Sequence, residues 1–221
     1  MNIQKIIFDY KEALYDTDHA RAVGVIHQAL ANGVTAEEVV FSIIIPAIDQ
    51  TINQIILDDS LCLAQHFLTA QISSDIVEEM LPLFKKAPQN VGHVVLGTAF
   101  GDLHSLGKRI VAGCLRARLI DVIDLGVNVP PEKFVQEAVA HHAEVIAISA
   151  MMLHTARSDL GALGVRRLMS EQGITEIRLV VGGAPFRFNP DLYLIVQADA
   201  WAPDGISASR VIGDLIREVH S

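Results

Sequence analysis

The chain has 221 residues, of which 51% are hydrophobic and 19% are charged, and its formal net charge is -9. This length suffices for one large domain or two small ones. So acidic a chain is a poor candidate for non-specific nucleic-acid binding, which needs basic side chains to neutralise phosphates, and the local basic pair Lys108-Arg109 does not change that. Two cysteines, Cys62 and Cys114, are too few for a disulfide framework or a four-sulfur metal site, and we expect both to be small buried residues.

The amino terminus does not read as a targeting segment. The stretch MNIQKIIFDYKEAL carries charge throughout, and the apolar run VVFSIIIPAI is too short to cross a bilayer. We therefore predict neither a signal peptide nor a membrane span, and we expect the protein in the cytoplasm.

Four helices are predicted in residues 1–87. One runs from about 18 to 32 and ends at Gly33, which suits a C-cap. Thr35, followed three residues later by Glu38, is typical of a capping box and predicts the start of the third helix.

The third helix carries apolar residues at i, i+3 and i+4, and we expect Pro46 to kink it. The fourth runs from about 61 to 81 and is ended by Pro82. Helices joined by short turns indicate a small four-helix bundle. The apolar stripe of the fourth helix is expected to comprise Leu61, Ala64, Phe67, Leu68, Gln71, Ile72, Ile76 and Met80.

The segment KKAPQN, residues 85–90, is predicted to be a linker, because charge and a proline interrupt the helical pattern there. We expect it to act as a hinge. The predicted domains are thus a helical bundle, residues 1–87, and a second domain, residues 91–221.

The second domain alternates short apolar segments with helical ones, which predicts an α/β fold with a parallel sheet. Five strands favour a flavodoxin/Rossmann-like sheet of order 2-1-3-4-5, with a ligand crevice at the carboxyl ends of its first and third strands. The strands are expected at 93–100, 119–126, 144–151, 176–183 and 198–202. The helices are expected at 107–118, 131–142, 156–172, 187–197 and 206–219.

Polar residues follow the first predicted strand at this crevice. Asp102 is in range to hydrogen-bond the ring of His104, and a carboxylate behind an imidazole fixes its tautomer and makes its other nitrogen more basic. That arrangement suits a general base or a metal ligand. No nucleophile stands nearby, and a protein-only zinc site needs three or four ligands, for which His154 alone is a weak candidate. One imidazole with one orienting carboxylate therefore favours a metal held in a macrocycle.

Glycines mark the same crevice, with Gly107 at the start of a helix and Gly182-Gly183 at the end of a strand. They can serve turn geometry with positive φ, or they can admit a bulky ligand close to the backbone. The spacing leaves both readings open. Neither of the two common glycine-rich phosphate motifs is present.

Together these residues resemble a known signature. Asp102-Leu-His104-Ser-Leu-Gly107, Ser149-Ala-Met151 and Gly182-Gly183 are similar to D-x-H-x-x-G, S-x-L and G-G of cobalamin-binding corrinoid proteins from methyltransferase systems. The stretches VIDLGVNVPPEKFV and VGGAP are similar as well, and so is the layout of a helical bundle before the sheet.

The resemblance implies cobalamin as the cofactor and His104 as the ligand of its cobalt, in place of the cofactor's own dimethylbenzimidazole. Asp102 would orient His104, Ser149 would hydrogen-bond the displaced base, and Gly205 would lie on the far side of the slot that holds the nucleotide tail. The implied cofactor-binding set is Gly101, Asp102, His104, Ser105, Leu106, Gly107, Ser149, Met151, Leu153, Gly182, Gly183 and Gly205.

The sequence departs from the family pattern at several positions. Ser105 stands where members often have Asp, Met151 where they have Leu, and Leu153 where they have Thr, which removes a hydroxyl that Thr155, two residues further on, need not replace. In the bundle, Gln65-His66 resembles the Glu-His of cobalamin-based light sensors, but Ile55 stands where those have tryptophan. His66 is either an upper cobalt ligand or a histidine on the polar edge of its helix.

The resemblance implies a methyl carrier without turnover of its own, a subunit of a methyltransferase or O-demethylase system. Its expected partners are a methyl-donor methyltransferase, an acceptor methyltransferase, for example for tetrahydrofolate, and a reductive activator; neither nucleic acid nor a membrane is expected. The donor is left open among methylamines, methanol and methyl ethers. The alternative is a cobalamin-dependent sensor or regulator acting through a protein partner. A flavodoxin-like module for another nucleotide is disfavoured by the missing phosphate motifs.

Overall fold

The fold is described from a computed structural model, which covers residues 2–48, 50, 63–84 and 91–221. The predicted linker and hinge at 85–90, and the positions of Ile55 and Cys62, lie outside the described residues. For His66 the backbone is described and the side chain is not. No helix in the described ranges has the length and apolar character needed to cross a membrane.

The amino-terminal part is the predicted bundle of helical segments. Local signals set several of its ends: Asp18 caps α2 by accepting from the Arg21 amide, and Gly33, with φ +89°, follows the end of α2. The capping box of Thr35 and Glu38 is confirmed. The segments are α1 (Ile3–Tyr15), α2 (His19–Ala31), α3 (Ala36–Glu38), a π-helix (Val39–Ile44), α4 (Leu63–Met80) and a 3-10 turn (Leu81–Leu83).

The irregularity expected at Pro46 takes the form of the π-helix that precedes it. The Ile45 amide donates to the Val40 carbonyl, five residues back. Proline has no N–H to offer the Ser42 carbonyl four residues earlier, so a regular helical pattern cannot continue through this turn.

The remainder of the chain forms a five-stranded parallel sheet of order β2-β1-β3-β4-β5, which confirms the predicted fold class. Thr98, Ser149 and Gly182 stand side by side at the carboxyl ends of the three central strands. The strands are β1 (His93–Thr98), β2 (Asp121–Asp124), β3 (Val145–Ser149), β4 (Arg178–Gly182) and β5 (Ala200–Ala202). The helices are α5 (Leu106–Arg116), α6 (Pro131–Ala140), α7 (Leu153–Arg157), α8 (Ala162–Glu171), α9 (Ala184–Phe188), α10 (Leu192–Ile195) and α11 (Gly205–Val219).

Two predicted helices are wrong because each is two shorter ones. The helix expected at 156–172 is split into α7 and α8, since Ser158 is extended and a Cβ on Gly161 would lie 2.1 Å from the Thr155 carbonyl oxygen. The helix expected at 187–197 is split into α9 and α10. Pro190 disfavours helical geometry at the preceding residue, and Asn189 is extended with φ -135°.

Helix α4 packs on two sides, against the bundle and against α5. A Cβ on Gly113 of α5 would lie 3.2 Å from the Cβ of Ala70, so the two helices are in close contact there. The predicted stripe of α4 is therefore only partly right: Leu68 is 40% exposed, while Ala70 and Ser74 are buried. A helix that is covered on two faces does not show one apolar stripe. The predicted boundary between two domains stays a prediction.

Candidate functional site

A cavity of about 570 Å³ opens at the carboxyl edge of the sheet, between α5 and α11 and over the ends of β3 and β4. Its inner wall is apolar, with Val111, Ala147 and Ile212 among the lining residues. Loops distant in sequence meet here, as the sheet order predicts. The cavity is lined by seven of the predicted site residues, His104, Gly107, Ser149, Met151, Gly182, Gly183 and Gly205.

The remaining predicted residues are outside the cavity lining. Asp102 is completely buried behind His104. Leu106 and Leu153 are exposed apolar side chains, and Gly101 and Ser105 belong to the segment that joins β1 to α5. We call that segment, residues 99–105, the ligand loop.

Asp102 and His104 form the expected pair. The Oδ1 atom of Asp102 lies 2.8 Å from the His104 Nδ1 and accepts from the His104 amide at 3.0 Å. The His104 side chain is 53% exposed and Asp102 is 0% exposed. The carboxylate therefore holds the imidazole by one nitrogen, and Nε2 is the nitrogen left for a ligand.

The second oxygen of Asp102 is bonded as well. Its Oδ2 accepts from the Met151 amide at 2.6 Å and lies 3.2 Å from the Thr155 hydroxyl. Burial raises the pKa of the Asp102 carboxyl, but the hydrogen bonds from Met151, His104 and Thr155 outweigh it and hold that pKa below its ordinary value. Asp102 thus remains an ionised acceptor behind the imidazole at neutral pH.

Sequence reasoning missed this role of Thr155 and considered its hydroxyl only as a substitute at Leu153. Both residues lie in α7, and two residues along a helix correspond to a rotation of about 200°. Leu153 is accordingly 53% exposed, whereas Thr155 is 2% exposed. Once the start of α7 is known, this spacing alone places Thr155 on the buried side.

The glycines at the cavity divide between the two readings left open by the sequence. Gly183 has φ +110°, and a Cβ there would lie 2.0 Å from the Ala150 carbonyl oxygen, so the fold itself requires glycine. At Gly205 the closest atom would be the Ile110 Cγ2, at 2.5 Å, which reflects close packing of α11 on α5. Gly107 differs, because a Cβ there would meet only the Ser149 Oγ, at 3.8 Å.

Gly107 and Ser149 therefore leave open space in the cavity wall. Gly182, next to Ser149 in the sheet, has less room than Gly107 and more than Gly183, since a Cβ there would lie 3.2 Å from the Ala202 carbonyl oxygen. The Ser149 hydroxyl has no hydrogen-bond partner among the described residues. A small residue beside an available hydroxyl suits a flat ligand that carries a polar atom.

The basic pair Lys108-Arg109 is not a surface patch. Lys108 is 3% exposed and pairs with Asp124 at the end of β2, which fastens α5 to the sheet. Burial raises the pKa of Asp124, but the hydrogen bond and the charge of Lys108, with the Gly126 amide, outweigh it and hold that pKa below its ordinary value.

Arg109 lies over the ring of Phe67 in α4, 5.1 Å from the ring centroid. This contact and the one between Ala70 and Gly113 show that α4 runs alongside α5 in the same direction. The amino-terminal end of α4 thus lies near the edge of the sheet that carries His104. The two readings of His66 stay predictions, since its side chain is not described.

The described residues contain no group of three His, Cys, Asp or Glu side chains able to hold a metal ion. Among these residues, a metal at His104 would thus lack the three or four ligands of a protein-only site. One oriented imidazole, an apolar cavity and an available hydroxyl fit a metal in a macrocycle with a flat polar appendage.

Comparisons with known proteins agree with this fit. Residues 92–209 match the model of the B12 binding domain. The chain is 31% identical over 189 residues to trimethylamine corrinoid protein 1 of Methanosarcina mazei, covering 83% of this chain and 85% of that protein. It is 32% identical over 186 residues to the protein of the same name from Methanosarcina acetivorans, covering 82% and 84%.

Solved structures share the fold over nearly the whole chain. A cobalamin-binding protein from Desulfitobacterium hafniense superposes with a TM-score of 0.78 at 18% identity, covering 95% of this chain and 98% of that one. A chain of the methanol:cobalamin methyltransferase complex from Methanosarcina barkeri has a TM-score of 0.72 at 21% identity, covering 96% and 80%. The chain therefore belongs to the B12-binding domain family, among the corrinoid proteins, and its cofactor is cobalamin.

Proposed function

We propose that the protein is a methyl carrier, which holds cobalamin and passes between a methyl-donor methyltransferase and an acceptor methyltransferase. The observation that carries the proposal is the Asp102–His104 pair, oriented from a buried carboxylate at the entrance of an apolar cavity. The names of the relatives, trimethylamine and dimethylamine corrinoid proteins, favour a methylamine as the donor.

In this proposal Nε2 of His104 would hold the cobalt in place of the cofactor's dimethylbenzimidazole. Asp102 would keep the proton on Nδ1 and leave the Nε2 lone pair available to a metal, and the lowered pKa of Asp102 supports that division. The bound cobalt supplies the methyl-transfer chemistry, while the chain binds and orients the cofactor.

The cavity would receive the displaced nucleotide tail. Gly107 and Gly182 give it room, and the Ser149 hydroxyl would bind the base. Gly183 and Gly205 would act through the fold, by allowing the close contacts that shape the walls. The corrin ring itself would contact the remaining predicted binding residues, which are Gly101, Ser105, Leu106, Met151 and Leu153.

The departures from the family pattern fall among these residues proposed to contact the corrin ring. Leu153 is exposed and offers no hydroxyl to the corrin, and the buried Thr155 does not replace it there. Met151 keeps an apolar side chain, and its amide bonds Asp102 whatever the side chain. We therefore expect these departures to alter affinity and leave the axial position intact.

The further partners are part of the proposal. The acceptor enzyme, of which one for tetrahydrofolate is an example, and a reductive activator would dock in turn at the edge of the sheet that carries His104. We also propose a cytoplasmic location.

Substitution of His104 tests the proposal directly. The protein loaded with cobalamin is expected to show the spectrum of the form with displaced benzimidazole, and His104→Ala should shift it. His154→Ala removes an exposed histidine from α7 and serves as the matched control, which should leave the spectrum unchanged. A spectrum that His104→Ala does not alter would contradict the axial role.

The carrier role has its own test. The reduced, loaded protein, mixed with a methylamine methyltransferase and its methylamine, should become methylated at cobalt in a stoichiometric amount. Absence of methylation with every donor class, together with a change of assembly state under light, would favour the sensor instead.

A further inference from the structure

The ligand loop is held from two sides, and only one of them involves the Asp102 carboxylate. On the other side stands Asn128, in the segment between β2 and α6. Its Oδ1 atom accepts from the Gly101 amide at 2.7 Å. Its own amide lies 3.0 Å from the Asp102 carbonyl oxygen and 2.9 Å from the Thr98 hydroxyl oxygen.

The contacts close a small network around the backbone of the ligand loop. The Thr98 hydroxyl donates to the Asp102 carbonyl at 2.6 Å and can accept from the Asn128 amide at the same time. The Asp102 amide in turn donates to the Ala99 carbonyl at 3.0 Å. Both backbone groups of Asp102 thus have hydrogen-bond partners, which hold the backbone from which its side chain reaches His104.

Asn128 has an unusual backbone for this role. Its φ is +56°, in the left-handed region that asparagine tolerates better than most residues. The side chain is exposed and is not part of the core, so its contribution to packing is small. Its specific contribution is the acceptor that it presents to Gly101, the residue immediately before the buried Asp102.

We propose that Asn128 is a positioning residue for the axial ligand: by holding the Gly101 amide, it keeps Asp102 and His104 in the geometry that coordinates cobalt. The inference rests on the proposed axial role of His104. Without this acceptor, the ligand loop between β1 and α5 gains conformational freedom. The free energy of cobalt coordination by His104 then includes the entropy cost of ordering that loop.

Two variants separate the acceptor from the backbone conformation. Asn128→Gly removes the acceptor and relaxes the left-handed backbone, whereas Asn128→Asp keeps an acceptor oxygen and tolerates that backbone. Gln197→Gly is the matched control, because Gln197 also has a left-handed backbone, with φ +55°, and lies between α10 and β5, outside the cavity lining.

The measurement is the electron paramagnetic resonance spectrum of the protein labelled with 15N-histidine and loaded with the cofactor in the Co(II) form. A coordinated 15N of histidine splits each cobalt line into two, whereas the 14N of the cofactor's own base would split it into three. In Asn128→Gly we expect the equilibrium constant for His104 coordination to fall roughly threefold to tenfold, the range for one lost hydrogen bond. Asn128→Asp should restore it to within about twofold of the parent, and Gln197→Gly should leave it unchanged.

The outcomes distinguish the role of Asn128 from that of His104. An unchanged nitrogen splitting in Asn128→Gly overturns the positioning role, and so does an equal loss in the Gly and Asp variants. Absence of the two-line splitting from labelled histidine in the parent protein instead contradicts the coordination of cobalt by His104 itself. Thermal unfolding of each variant without cofactor shows whether a loss arises from the fold.

Discussion

The polar groups at the entrance of the cavity differ from those in its interior in how completely they are hydrogen-bonded. At the entrance, both oxygens of the Asp102 carboxylate have hydrogen-bond partners, and one of these oxygens orients the ring of His104. In the interior, the Ser149 hydroxyl has no partner among the described residues, and Gly107 leaves space. A coordinate bond needs an oriented donor, whereas an incoming nucleotide tail needs room and an available polar group.

This contrast also separates two kinds of glycine that look alike in the sequence. Gly183 is required by the backbone, since its φ is +110° and the Ala150 carbonyl oxygen occupies the place of a Cβ. Gly107 is required, in our proposal, only by the ligand. The same substitution by alanine should therefore destabilise the fold at Gly183 and leave the fold intact at Gly107.

The largest expected effect is that of Gly183→Ala. The added methyl group would lie 2.0 Å from the Ala150 carbonyl oxygen on a positive-φ backbone. We therefore expect the free energy of unfolding to fall by about 3 kcal/mol or more. Denaturant unfolding of the protein without cofactor measures this.

Gly107→Ala is the matched substitution with the opposite signature. Alanine replaces glycine inside α5 without a clash, so stability should rise by up to about 1 kcal/mol. Cobalamin affinity should fall by roughly tenfold in a spectrophotometric titration, because a methyl group then occupies the cavity. Equal loss of stability in both variants would show that the two glycines have the same role.

Asp102→Asn tests the entrance through its dependence on pH. Because the folded-state pKa of Asp102 is below its ordinary value of about 3.9, its stabilising contribution is present above that value and is lost as the pH falls through the folded-state pKa. Asparagine should lower the free energy of unfolding at pH 7 by about 1–3 kcal/mol and flatten its decline in acid. Parallel acid-unfolding curves for the two proteins would contradict the assignment.

The smallest expected effect is that of Thr155→Val, which keeps the shape of the side chain and removes a hydroxyl shared between the Met152 carbonyl, at 2.8 Å, and the Asp102 carboxylate, at 3.2 Å. We expect a loss of about 1 kcal/mol in the free energy of unfolding. Leu153→Thr, two residues away on the exposed side of α7, should change stability by less than about 0.5 kcal/mol. Urea unfolding of the two variants compares the buried and the exposed face of α7. Similar changes in the free energy of unfolding would contradict the role of Thr155.

Much of the fold was readable from the sequence because its signals are local. The alternation of apolar strands and helices predicted the parallel sheet and the position of Asp102 and His104 beside Ser149 and Gly182. The capping box at Thr35 is equally local. The break at Pro190 was also readable, since the residue before a proline disfavours helix, and the prediction of one continuous helix there was wrong.

The family signature in the sequence by itself predicted the cofactor, which the comparisons confirm, and it predicted which residues would bind that cofactor. Only the tertiary structure decided how those residues are supported. Thr155 reaches Asp102 because the turn after β3 carries α7 against the ligand loop, and Lys108 is buried because Asp124 ends the neighbouring strand. Asn128 lies beside Gly101 because β1 and β2 are adjacent in the sheet. Such contacts join residues distant in the chain, and no pattern within a single segment encodes them.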